Sequence, residues 1–150
     1  MTETTSGSTH QGAARPDNYA FRVKLNLPYE QTMDKVTAAL KEQGFGVLTK
    51  IDVKETMKQK LDADFRKYVI LGACNPPLAH KALSTQLNIG LLLPCNVIVY
   101  EEDGGSVVEI LDPIQMMGIG GNIAENPELK SVADEAQTRL QRVAINLETK

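Results

Sequence analysis

The stretch from residue 129 to residue 147 constrains this chain more than any other. Leu129, Val132, Ala133, Ala136, Leu140, Val143, Ala144 and Leu147 recur at three- and four-residue steps, which places them in one apolar stripe along a long helix. Asn126 is a good capping residue, Pro127 suits a first helical position, and Glu128 complements the positive end of the helix dipole. A stripe of that length is too apolar to face water. It must cover a sheet face or a partner subunit, so the residues before it have to supply strands.

They do. Tyr19, Phe21, Val23, Leu25 and Leu27 alternate with Ala20, Arg22, Lys24 and Asn26, a period of two that sends the apolar set to one face of a strand. Pro28 ends that strand and opens a helix over 29–43, with Tyr29, Met33, Val36 and Leu40 as its stripe and Gly44 beyond its end. Phe45, Val47, Thr49, Ile51 and Val53 alternate again, and a short helical piece follows to Leu61. Residues 68–74 form a nearly continuous apolar run, as expected of a well-buried strand. Asn75-Pro76-Pro77 breaks it and leads into a helix over 78–87 with Leu78, Ala82 and Leu83 inside; Asn88-Ile89-Gly90 turns the chain back. Strands are expected over 96–101 and 106–111, joined by the hairpin signal Asp103-Gly104-Gly105, and 115–125 reads as a loop. The order is strand, helix, three or four strands with a helical insertion, and the long final helix. This is an α+β chain: an antiparallel meander with helices on one face.

A chain of 150 residues fits one domain, here residues 19–150, long enough to bury a core without staples. Residues 1–18 lack periodicity and large apolar side chains and are expected to form a flexible tail, with His10 solvent-facing in it. The net charge of −3 argues against nucleic acid or an anionic membrane as a partner, since either calls for a basic face. The cations Lys54, Lys58, Lys60, Arg66 and Lys67 are interleaved with Asp52, Glu55, Asp62 and Asp64, a mixed-charge surface. No signal-like or membrane-length apolar segment is present, and two cysteines make no disulfide framework; a cytoplasmic setting with reduced thiols is expected.

Both cysteines lie in two echoing segments, Leu71-Gly72-Ala73-Cys74-Asn75-Pro76-Pro77-Leu78-Ala79-His80 and Leu91-Leu92-Leu93-Pro94-Cys95-Asn96-Val97. With Gln43-Gly44-Phe45-Gly46-Val47-Leu48-Thr49 and Asp112-Pro113 followed by Met116, these resemble the domain-of-unknown-function 302 family from about Phe21 to about Leu147. The resemblance implies a fold like one half of the TATA-binding protein, with a curved antiparallel sheet under a long C-terminal helix. It also implies a homodimer and a prokaryotic, intracellular setting. It carries no established activity, and sharing a fold with a DNA-binding protein does not transfer DNA binding.

The residues themselves suggest three functions. In the first, a homodimer binds a small apolar or thiol-reactive ligand near the two Cys-Asn steps, with Asn75, Asn96, Asp112 and His80 as polar groups at the pocket mouth and the loop after Met116 closing over it. In the second, Cys74 and Cys95 form a reversible disulfide, or hold copper or zinc with His80, Met116 or Met117. Cys74 precedes a helix N-terminus with His80 one turn inside, which would favour a thiolate; the alternative is that both thiols are packing groups. The metal reading has no support from ligand spacing, which lacks close pairs such as C-x₂-C. In the third, the chain is a structural dimerisation module. Catalysis is not expected: His80 and Ser84 have no carboxylate beside them and no nucleophile elbow. Gly118-Ile119-Gly120-Gly121 follows no strand, and Glu109 and Asp112 fall on opposite strand faces.

Overall fold

The computed structural model describes residues 16–17, 19–119 and 125–148. The elements in chain order are β1 (Pro16–Asp17), β2 (Ala20–Leu25), α1 (Tyr29–Glu42), β3 (Gly46–Asp52), α2 (Val53–Leu61), β4 (Tyr68–Cys74) and α3 (Pro76–Thr85). A 3-10 turn (Leu87–Leu92), β5 (Cys95–Glu102), β6 (Gly105–Leu111), α4 (Pro113–Ile119) and α5 (Pro127–Glu148) complete them. The strands form one antiparallel sheet in the order β1-β2-β6-β5-β4-β3. The α+β expectation holds. Of the stretch read as a flexible tail, Pro16 and Asp17 pair with Phe21 and Ala20; the rest, including His10, lies outside the described residues, as do Gly120 and Gly121.

Alternation decides which side chains make the core. Phe21, Val23 and Leu25 of β2, Val108 and Ile110 of β6, Cys95, Val97 and Val99 of β5, and Val69, Leu71 and Ala73 of β4 are all buried in one cluster. The register lines them up across the sheet, Phe21 against Ile110, Ile110 against Val97 and Val97 against Leu71. Helices α1 and α5 cover this face, with Val36 and Leu40 from one and Ala136, Leu140, Val143, Ala144 and Leu147 from the other. A second buried cluster, Ala82, Ile89, Met117, Leu129, Val132 and Ala133, sits under α3 and α4. The stripe of α5 therefore serves two cores in succession, its first half in the second cluster and its later turns on the sheet.

Local chemistry explains the ends of these elements. Asn126 Oδ1 accepts from the N–H groups of Glu128 and Leu129 and caps α5 as expected. Asp52 caps α2 through the N–H of Glu55 at 2.9 Å. The β5–β6 hairpin turns on Asp103 and Gly104, whose φ of 51° and 77° match the left-handed pair that a two-residue hairpin loop requires. Gly105 belongs to β6, and the carbonyl of Leu25 approaches it where a side chain would stand.

Three local expectations are corrected. Uniform alternation in β3 fails because the register slips between Val47 and Thr49. One extra residue reverses the facing of everything after it, so Val47 packs on the core while Ile51 is exposed. The segment after Asp112 is not wholly a loop: Pro113–Ile119 is helical, since Asp112 Oδ1 accepts from the N–H of Ile114 and starts a turn that pattern alone did not reveal. The helix read as 78–87 begins at Pro76 and stops at Thr85, which leaves Leu87 in solvent.

Candidate functional site

A cavity of ≈ 280 Å³ opens between α3, α4, the first half of α5 and the Cys74–Cys95 end of the sheet. It lies on the seam between the two apolar clusters: Phe45, Ala73, Cys95 and Ala136 line it from the sheet core, and Ala82, Ile89, Met117, Val132 and Ala133 from the helical one. Ala79 and Ala82 of α3 and Ala133 and Ala136 of α5 are among the lining residues, and their short side chains leave space on these helices. The walls are carbon and sulfur, the sulfur coming from Cys74, Cys95, Met116 and Met117. Asn75 is the one side chain with a nitrogen or oxygen atom among the described lining residues.

The candidate residues separate into two groups. Cys74, Asn75, Cys95 and Met116, together with Met117, meet at this cavity. His80, Asn96 and Asp112 do not line it. His80 is exposed on the outer side of α3, because Leu78, Ala79, Ala82 and Leu83 occupy its inner face. Asn96 follows Cys95 in β5, so alternation turns it to the opposite face of the sheet, where it is exposed. Asp112 is fully buried, but its oxygens serve the N–H of Ile114 and the Gln137 amide at 3.1 Å, tying α4 to α5. Its role is a helix cap. The expected polar ring at the pocket mouth thus reduces to Asn75.

The two thiols are close: Cys95 pairs in register with Ala73, the residue before Cys74, and both cysteines line the cavity. Burial pushes both thiols up, Cys95 to about 11 with a smaller contribution from the neighbouring Cys74. This reverses the expectation of a thiolate at Cys74. The α3 N-terminus does not offset that burial: Pro76 and Pro77 have no N–H, the N–H of Leu78 is bound by Asn75 Oδ1, and that of Ala79 by the Asn75 carbonyl. None of these groups is left to stabilise a sulfur anion. His80, the second source of positive charge in that expectation, points to solvent.

Asn75 sits at the junction. It is only 8% exposed, and while Oδ1 caps α3 at 3.1 Å, its Nδ2 makes no hydrogen bond among the described residues. Nδ2 lies against Gly44, 2.9 Å from where a side chain there would begin, and Arg139 Nη1 is 3.2 Å from that same point. Gly44, at φ 84°, ends α1 in a conformation that favours glycine, and its bare Cα leaves room for both groups. Arg139 is already engaged, by the carbonyl of Gln43 at 3.0 Å and by Glu135 at 2.7 Å. Among the described residues no three of His, Cys, Asp and Glu converge as a metal site, and no helix is long and apolar enough to cross a membrane.

Sequence reasoning found the sulfur-bearing wall but missed the helical one: Leu78, Ala82, Leu83, Ile89, Val132, Ala133 and Ala136. Its one signal was compositional. The first half of the final stripe is poor in large residues, and two alanines recur at helical spacing in α3.

Residues 21–147 match the family described as "Domain of unknown function DUF302". A crystal structure of an uncharacterized conserved DUF302 protein from Bacillus stearothermophilus is similar at a TM-score of 0.75 and 28% identity, covering 88% of this chain and 99% of that one. No curated protein matches the sequence.

Proposed function

Since the chain belongs to the DUF302 family, whose description names no activity, we propose a function from the cavity itself: the protein binds a small, predominantly apolar molecule between α3, α4, α5 and the Cys74–Cys95 end of the sheet. One observation carries this reading. A space of ≈ 280 Å³, walled by carbon and sulfur, persists in an otherwise densely buried protein. A cleft of that kind leaves carbon and sulfur facing water, and an apolar molecule that covered it would be bound by the area it removes from solvent. An apolar cavity of about 150 Å³ takes up benzene, so this one has room for roughly a bicyclic molecule. The sulfur atoms suit such a ligand, because thioethers and protonated thiols are soft, polarisable and weakly polar.

The redox alternative is less well supported. Raised thiol pKa values slow attack on disulfides and electrophiles. The dimer and soft-metal readings have no independent observation behind them.

The test uses naphthalene as the probe and Ala136→Leu as the blocking variant, since Ala136 lines the cavity from α5. At ten times Kd, naphthalene should stabilise the wild type by about 1.4 kcal/mol, a Tm rise of roughly 3–6 °C for a chain of this size. The variant should show at least a tenfold weaker response. A wild type whose Tm is indifferent to naphthalene at saturation overturns the proposal.

A further inference from the structure

Building on that reading of the cavity, we infer that Leu48 selects its ligand. The ligand is an apolar molecule long enough to reach the cavity mouth, and its outer end is hydrocarbon, held against Leu48. The first ground is the slip in β3. Val47 pairs with Ala73 and Thr49 with Gly72, so Leu48 is the extra residue between two matched pairs. The sheet does not require it. Without Leu48 the same pairs would leave Val47 on the core face and Thr49 on the outer one, as ordinary alternation prescribes. Both neighbours are fixed, Val47 by packing on the core and Thr49 by its Oγ1, which fills the place where a Gly72 side chain would stand. A bulge re-aims one side chain, and Leu48 is the one residue of β3 that lines the cavity.

The second ground is exposure. Leu48 is 67% exposed, whereas every other lining residue among those described is buried or half-buried. A leucine in water holds nothing in place, but a ligand that covers it gains the apolar area removed from solvent. The half-buried part of the wall includes Cys74, Leu83, Leu93 and Pro94, and no lining residue among those described carries a charge. A carboxylate or ammonium group at the mouth would therefore meet no opposite charge and would leave Leu48 wet. A hydrocarbon end covers it.

The experiment compares naphthalene with 2-butylnaphthalene, whose chain adds reach towards the mouth, in the wild type, Leu48→Ala and Ile51→Ala. Ile51 is the control, an exposed apolar residue of the same strand that does not line the cavity. Both variants should keep a urea midpoint close to the wild type, because an exposed side chain anchors little. Naphthalene affinity reports on the cavity alone and should stay within about twofold throughout. The 2-butylnaphthalene affinity should fall about tenfold in Leu48→Ala, the effect of losing most of one leucine side chain from the contact, and should not change in Ile51→Ala. Nuclear Overhauser contacts should appear between isotope-labelled Leu48 methyl groups and the butyl protons in the wild-type complex. If both probes bind but Leu48→Ala leaves their affinity ratio unchanged, or those contacts are missing, the role of Leu48 is wrong and the cavity reading stands. Tighter binding of 2-naphthalenebutanoate than of 2-butylnaphthalene would refute a hydrocarbon outer end. If neither naphthalene nor 2-butylnaphthalene binds the wild type, the cavity reading falls as well.

Discussion

Cys95 allows a quantitative test of whether this site is built for thiol chemistry. Its thiol is 8% exposed and held at about 11, against an ordinary value of 9.0, chiefly because burial disfavours the charged sulfur. At pH 8 an ordinary thiol is about one-tenth ionised, whereas Cys95 would be about one-thousandth ionised, a roughly hundredfold smaller supply of nucleophile. Alkylation by iodoacetamide, followed by mass spectrometry of the native protein, should therefore lag a free thiol by about two orders of magnitude. The same shift acts on stability. Between about pH 9 and 11 the folded chain keeps a proton that the unfolded chain has released. The folded state then binds more protons, and stability falls as pH rises. The contribution is fully present below pH 9 and is lost as pH rises through about 11. Two pKa units correspond to about 3 kcal/mol. Other groups titrate in that range, so the measurement is the difference between wild type and Cys95→Ala in urea unfolding at pH 8, 9, 10 and 11. The variant loses packing at every pH, but the gap between the two proteins should close by about 2 kcal/mol across the series. A constant gap, or native Cys95 alkylating within about threefold of a free thiol, would refute the account and revive the redox reading.

Two further predictions concern the framework of the site. Gly72 lies between Thr49 Oγ1 and the Pro94 ring, whose Cγ stands 2.8 Å from where a side chain would begin. Gly72→Ala should cost about 1–3 kcal/mol by overpacking, and Thr49→Ala in the same chain should recover part of it by removing one of the two obstacles. Urea midpoints read both effects, and a Gly72→Ala protein as stable as wild type would show the contact to be soft. Asp112→Ala should cost about 2–4 kcal/mol, since it uncaps α4 and leaves the Gln137 amide without its buried acceptor. A loss below about 0.5 kcal/mol in thermal unfolding would show that Asp112 does not anchor α4 to α5.

Much of the framework was legible because it follows from local chemistry and period. The alternation in β2, the apolar run of β4, the two-residue turn at Asp103-Gly104 and the capped stripe of α5 each fix one element's type and its inner face with no knowledge of the neighbours. Helix α4 was missed because it is short and owes its start to a buried cap, Asp112, whose second partner, Gln137, lies 25 residues away. The slip in β3 was missed because one unpaired residue leaves no mark on composition, yet it reverses every side chain after it.

The sequence by itself determined that strands and one long amphipathic helix would bury each other, and that both Cys-Asn steps would fall at strand ends near one short helix. Only the tertiary structure decided what those steps could do. Parity and register sent Cys95 inward and Asn96 outward, and the handedness of α3 turned His80 to solvent. Two prolines and a side-chain cap occupied the helix end that was to have activated Cys74. Alanines on α3 and α5 left room for the cavity, a property of the space between elements that no single stretch of sequence contains. Asn75 became the polar residue of the site for the same reason: the other side chains lining the cavity carry no nitrogen or oxygen, and only folding brought them together from separate elements.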